Sequence, residues 1–318
     1  MRRSEMGAED RVLPATGRHD DDGLRGRPGR RRVRLTRAGR RGRRRPDPCG
    51  ARHRGELHRH RRRPRRRAGP ARRLGRALAG VRWQAVVAAY ATPSAPADAE
   101  APIPAAAVVA DLEATLTALD TTAVDIFYLH RPTPADLATE ALWAALDLAR
   151  RDGKLRAVGV SVTTPREGLE AVASGRFDVV QAPYSAVSAL HVEVFERAAA
   201  AGLGVAAMMP RARGLLGGLY RPGHEFGPDD RRAAWPAHYR DEVLRRAAAL
   251  GFLADESGAA PAQLALAYTL SHPALSVSVA GARLPEHVRE NATAPALAPL
   301  AAEHLDRIAA LQRDRFGA

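Results

Sequence analysis

The chain has one lysine, Lys154, one cysteine, Cys49, and no aromatic residue before Trp83. A single cysteine cannot close an internal disulfide or assemble a thiolate metal site. No apolar run approaches the roughly 18–20 residues of a membrane span. The N-terminus has no apolar stretch of the kind a secretory signal needs. Its arginine content resembles a transit peptide, but Asp20-Asp21-Asp22 and the lack of an amphipathic period argue against one. The expected location is therefore cytoplasmic, with no membrane partner.

What is present divides at about residue 70. Residues 1–70 hold 25 arginines and 8 acidic side chains, and no Lys, Phe, Trp, Tyr or Ile. Their formal charge is +17 against +15 for the whole chain, so residues 71–318 carry −2. The basic character belongs to the first segment alone. That segment offers too little apolar surface to offset chain entropy, so disorder is expected, with early removal by a protease. As an arginine-rich arm it could meet nucleic-acid phosphates, but it lacks the aromatic residues that stack on bases. Nucleic acid is therefore a weak expectation. A third reading is out-of-frame translation of GC-rich DNA. Residues 56–63 can be back-translated so that the frame one base along reads Ser-Phe-Ile-Asp-Thr-Ala-Ala.

From Trp83 onward, short Val- and Ala-rich runs alternate with longer amphipathic segments. Strands are expected at 85–89, 124–130, 157–161, 179–185, 205–209 and 276–280. Helices are expected near 104–119, 134–151, 166–175, 190–202, 239–257, 261–271, 284–294 and 302–313. Leu112, Leu116 and Leu119 repeat at helical spacing, as do Leu142, Leu146 and Leu148 with Trp143. Gly153, Gly175, Gly202 and Gly204 mark helix ends and strand starts. Strands joined by helices imply a parallel sheet buried on both faces.

Two folds fit that alternation. A Rossmann sheet requires a Gly-rich GxGxxG turn after its first strand, and none is present. A (β/α)8 TIM barrel places polar functional residues just past strand C-termini. His130, Ser161 and Gln181 sit there, so the barrel is preferred, incomplete at its first two βα units. Residues 1–70 then form one segment and 71–318 the barrel domain. Residues 220–239, with Gly223, Pro228 and Pro236, read as an irregular lid.

Consecutive motifs over residues 71–313 resemble the aldo-keto reductase family. Residues 124–132, Val-Asp-Ile-Phe-Tyr-Leu-His-Arg-Pro, are similar to its fourth strand. Residues 153–161, Gly-Lys-Leu-Arg-Ala-Val-Gly-Val-Ser, resemble the segment that follows it. Residues 179–184, Val-Val-Gln-Ala-Pro-Tyr, and 210–218, Pro-Arg-Ala-Arg-Gly-Leu-Leu-Gly-Gly, match later strand ends. Residues 261–267 and 281–291 complete the series.

The resemblance implies a barrel that binds NADPH and reduces aldehydes or ketones. Its chemistry uses an Asp, a Tyr acid, a Lys and a His. A tyrosine near pKa 10 must be acidified by a nearby cation before it can protonate the developing alkoxide. His130 matches the family His. The Lys position aligns with Tyr90, which is neutral at pH 7 and supplies no charge. The Asp and Tyr positions fall before residue 71, where no Tyr occurs. The alternate frame restores Phe-Ile-Asp-Thr-Ala at the right distance, but not the Tyr.

The cofactor positions carry over more fully. Ser161 and Gln181 match the residues that bond the nicotinamide carboxamide, although Val162 stands where an Asn is expected. Met208 takes the place of the aromatic residue that stacks on the ring. Gly281, Arg283, His287 and Asn291 match the segment that holds the adenosine and its 2′-phosphate, for which a guanidinium is well shaped. The leading expectation is thus an NADPH-dependent carbonyl reductase, impaired by its altered catalytic positions. A non-catalytic nucleotide- or partner-binding barrel is the alternative, and a nucleic-acid binder a further one.

Overall fold

The computed structural model describes residues 68–91 and 102–317. The expectations placed on residues 1–70, namely disorder, an arginine arm or a shifted frame, lie outside the described residues up to residue 67, whereas residues 68–70 are helical and open the helix Ala68–Leu78. Six strands form one sheet: β1 (Ala88–Tyr90), β2 (Val124–His130), β3 (Leu155–Ser161), β4 (Val179–Pro183), β5 (Gly204–Met208) and β6 (Val277–Val279). Every neighbouring pair is parallel, and spatial order follows chain order without reversal. A doubly wound sheet would reverse direction at a switch point. Crossovers that always step the same way put their helices on one side and curl the sheet. The result is an arc of a (β/α)8 barrel, with β1 and β6 as its edges among the described residues. The expected gap at the first two βα units stands.

The helices are α1 (Ala68–Leu78), α2 (Ala105–Leu119), α3 (Pro134–Leu137), α4 (Glu140–Arg151), α5 (Pro165–Ala173), α6 (Val192–Ala200), α7 (Ala237–Ala249), α8 (Phe252–Ser257), α9 (Pro261–Leu270), α10 (Pro285–Thr293) and α11 (Ala302–Arg313). Two expected helices are each split. The one at 134–151 breaks at Ala138 and Thr139: a Thr133–Asp136 capping box starts the short first piece, and Thr139 turns to extended backbone and becomes the N-cap of the second. The one at 239–257 breaks at Gly251, between α7 and α8. Gly175 and Gly202 adopt left-handed backbone after α5 and α6, as helix-stopping glycines do.

Strand alternation sorts the side chains into two layers. Phe127 and Leu129 of β2, Val158 and Val160 of β3, and Val180 and Ala182 of β4 pack outward against the helices. They share one core with Leu112 and Leu116 of α2, Leu142, Trp143 and Leu146 of α4, and Val194 and Phe195 of α6. Leu148 does not belong to that stripe. It is 52% exposed, and Ala149 takes the buried position instead.

The opposite face of the sheet is narrow near β3. A Cβ on Gly159 would lie 2.4 Å from the Tyr128 ring, which is itself stacked on Tyr90 at 5.0 Å. Gly159→Ala is therefore expected to cost about 1–3 kcal/mol by overpacking. It should also displace Tyr90, read as a lowered Tm together with a changed tyrosine environment in near-UV circular dichroism.

Candidate active site

Because all six strands are parallel, their C-terminal ends open on one mouth. Tyr90, His130, Ser161, Gln181 and Met208 stand at or near those ends. Register aligns His130 with Ser161, Ser161 with Gln181, and Pro183 with Met208. The expected residues of strands β2 to β5 are thus brought to one rim. His130 and Met208 are half-buried, and Ser161 and Gln181 are buried.

Gln181 is the hub of this rim. Its Oε1 accepts from Ser161 Oγ at 3.1 Å and from Tyr90 Oη at 2.9 Å. The Tyr90 ring lies almost parallel to that of Tyr128. Burial, reinforced by Tyr90, raises the Tyr128 hydroxyl far above its ordinary pKa, so it stays neutral. Val162, at the expected Asn position, is buried in the core, and its N–H donates to the Gln181 carbonyl. Lys154, the one lysine, sits just ahead of β3, at the far end of the strand from the mouth. Its Nζ is 2.7 Å from Glu113 and 3.7 Å from Asp152, a surface pairing. It supplies no cation to Tyr90.

A second group of residues follows β5 and β6. Met209, Ala212 and Arg213 all take positive φ beyond β5, an unusual backbone for side chains other than glycine. Arg211 reaches across to donate to the Gly281 carbonyl, joining the two loops. Its guanidinium is partly desolvated, which lowers its pKa, and Glu290 opposes that shift. A Cβ on Gly281 would meet open space. The N–H of Arg283 donates to His287 Nδ1 at 3.4 Å, and the Arg283 side chain is exposed. One turn beyond His287, Asn291 is buried, and neither its amide nitrogen nor its amide oxygen has a partner.

The segment 220–239, expected to form a lid, is irregular except for a 3₁₀ turn over Arg231–Ala234 and the start of α7. It is held by Arg232, which lies over the Tyr220 and Phe226 rings at 4.7 and 4.3 Å and pairs with Asp230 at 2.7 Å. The Asp230 carboxyl falls to about 2, chiefly through Arg232, and the field of Arg283 adds to the shift. Asp230 thus lies within the electrostatic reach of Arg283, ahead of α10.

Sequence reasoning missed Arg211 as a loop bridge and His191 altogether. His191 precedes α6 and is buried, and neither ring nitrogen has a completed hydrogen bond. The backbone of Thr163 and Pro183 lies close enough to favour the charged ring, but desolvation outweighs it and lowers the pKa. A histidine whose folded pKa is depressed destabilises the fold only as pH falls below the unfolded value near 6.5. His191→Leu is therefore expected to flatten the acid side of the stability–pH curve below about pH 6.5. Urea midpoints across that range would show it. Among the described residues no cluster of His, Cys, Asp or Glu could hold a metal, and no helix is long and apolar enough to cross a membrane.

Comparison with known proteins fits this geometry. Two plant relatives, each named as a probable voltage-gated potassium channel subunit beta, are 30% identical. In Arabidopsis thaliana the match covers 63% of this chain and 66% of the relative, and in Oryza sativa subsp. japonica 65% and 67%. An aldo-keto reductase from Strobilurus tenacellus, str7, is 26% identical over 58% of this chain and 56% of its own. The chain thus spans between about half and two thirds of these relatives. The holo form of an aldo-keto reductase from Bacillus halodurans superposes with a TM-score of 0.59 at 25% identity, over 76% of each chain. The family model described as Aldo/keto reductase family matches residues 71–313. With that match over most of its length, the chain belongs to the aldo/keto reductase family.

Proposed function

We propose that this chain is an oxidoreductase that binds NADPH across the barrel mouth and acts on aldehydes or ketones, with turnover held low by its own catalytic positions. The bound nucleotide would supply the hydride. The observation that carries the nucleotide part is Asn291. A buried amide with no partner for its donor or its acceptor costs stability unless a ligand completes it. An adenine edge offers both complements. Arg283 and His287 stand on the same approach to α10, whose N-terminus favours an anion. Gly281 leaves space for a ligand to lie against the backbone. The residues present therefore fit an adenosine carrying a 2′-phosphate.

The catalytic part rests on His130 at the mouth, where a ring nitrogen can polarise a carbonyl oxygen. Tyr90 at the expected Lys position supports low turnover, since a phenol bonded to Gln181 supplies no positive charge. The same observation favours a second reading, a barrel that binds nucleotide and responds through a partner rather than by turnover. The plant relatives are named as channel subunits.

The test is nucleotide preference. The full chain is expected to bind NADPH more tightly than NADH by about tenfold to a hundredfold, the worth of a hydrogen bond to a charged group. Arg283→Ala should erase the difference. Equal affinities in the unaltered chain, measured by fluorescence titration, would remove the 2′-phosphate from the Arg283 site.

A further inference from the structure

Tyr90 does more than occupy the place of a missing cation. A glutamine side chain can turn its oxygen or its nitrogen toward a neighbour, and the hydrogen-bond network decides which. Here two hydroxyls converge on Gln181 Oε1, Ser161 Oγ at 3.1 Å and Tyr90 Oη at 2.9 Å. A phenol is a better donor than acceptor, so it favours the amide oxygen over the amide nitrogen. Tyr90 cannot readily swing away, because its ring is stacked on Tyr128 at 5.0 Å with 20° between planes. Tyr128 is in turn wedged against Gly159, where not even a Cβ would fit.

We infer that Tyr90 is a positioning residue which fixes the amide of Gln181 with its oxygen held inward, leaving the two Nε2–H donors as the group it can offer a ligand. With Oε1 accepting twice, the carboxamide nitrogen is what Gln181 retains for recognition. Ser161 Oγ, having given its proton to Oε1, keeps acceptor capacity. The pair then presents a donor beside an acceptor. A primary carboxamide matches it with a C=O for Gln181 and an N–H for Ser161. The rim is thereby built to read a carboxamide, by a phenol–amide–hydroxyl chain that a lysine at position 90 would not form. A lysine would also donate to Oε1, but as a flexible charged donor with no ring to hold it against Tyr128.

This inference rests on the nucleotide reading above, and the experiment separates the two. Affinities of the full chain and of Tyr90→Phe are measured by calorimetry for two ligands. NADPH carries the carboxamide, whereas adenosine 2′,5′-bisphosphate shares its adenosine end and lacks the nicotinamide. Tyr90→Phe keeps the stacked ring and removes only the hydroxyl. It is expected to weaken NADPH by about threefold to tenfold, the net worth of one hydrogen bond, and to leave the bisphosphate unchanged. Gln181→Glu, which removes the Nε2 donors, should show the same selective loss. Equal weakening of both ligands would mark a general structural role and overturn the inference. So would no weakening of either. If neither ligand binds the unaltered chain, the nucleotide reading falls and takes this inference with it.

Discussion

NADPH-dependent reduction of a simple aldehyde by the full chain is expected to run about 10²–10⁴-fold slower than by the Bacillus halodurans aldo-keto reductase in the same buffer. Hydride arrival at a carbonyl carbon leaves a negative oxygen that must be protonated as it forms. On the proposed reading His130 would polarise that oxygen, and among the described residues of the rim no phenol is acidified. Tyr90 donates instead to Gln181, and Tyr128 is buried with its hydroxyl proton held more tightly than usual. Tyr184 and Tyr268 are buried and bonded to each other at 2.9 Å, and burial likewise raises Tyr184. The one lysine is paired with Glu113 at the other end of β3. Tyr90→Lys alone should not restore the rate, because the one tyrosine beside it, Tyr128, is buried with its proton held tightly, and the stacked phenol that donates to Gln181 is lost. Initial rates of NADPH consumption would decide. A rate within a few-fold of the bacterial enzyme, lost in His130→Ala, would show that the catalytic positions are wrongly assigned.

Phe195→Ala is expected to be the most damaging single change in the core. Phe195 lies on α6 with no exposed surface and packs edge-on against Tyr184 at 5.5 Å. Its helix packs on β5, and it shares one core with Val194 and the β5 side chains Val205 and Ala207, all buried. Removing the ring forfeits its transfer free energy and leaves a cavity that close-packed strands cannot collapse into. The cost is about 3–5 kcal/mol. At about 2–4 °C per kcal/mol for a domain of this size, Tm should fall by roughly 6–20 °C. Trp83, by contrast, is 67% exposed, and Trp83→Ala should move Tm little. A Phe195→Ala protein that melts with the parent would mean the α6–sheet layer is not a packed core.

The fold was largely legible because its strands are buried on both faces. The runs at 124–130 and 179–185 are mainly apolar, broken by Asp125, His130, Gln181 and Ser185, and both proved to hold interior parallel strands, the second ending at Pro183. Strand ends were less legible: the run at 85–89 became Ala88–Tyr90, since pairing with β2, not apolar content, sets where a strand begins. Leu148 misled by counting as part of a stripe from which 3.6-residue geometry excludes it. At the site, motif order placed His130, Ser161, Gln181 and Met208 on one rim. What motifs could not convey was contact. The Tyr90–Gln181 bond joins residues 91 positions apart, and the Arg211–Gly281 bridge spans 70. Asn291 was singled out by resemblance, while its unpartnered burial is a property of packing alone. His191 had no signal in sequence, being one of 11 histidines with no motif around it.

The central claim is that this chain keeps the nucleotide half of the site and has altered the catalytic half. A single mixing experiment tests both halves. NADPH fluorescence is followed as the full chain is added, and an aldehyde in excess is then introduced. The account predicts a saturable change on adding protein, followed by a signal that persists after the aldehyde enters and decays only slowly. Absence of any change on adding protein would contradict the nucleotide half, and rapid loss of the reduced nucleotide would contradict the catalytic half.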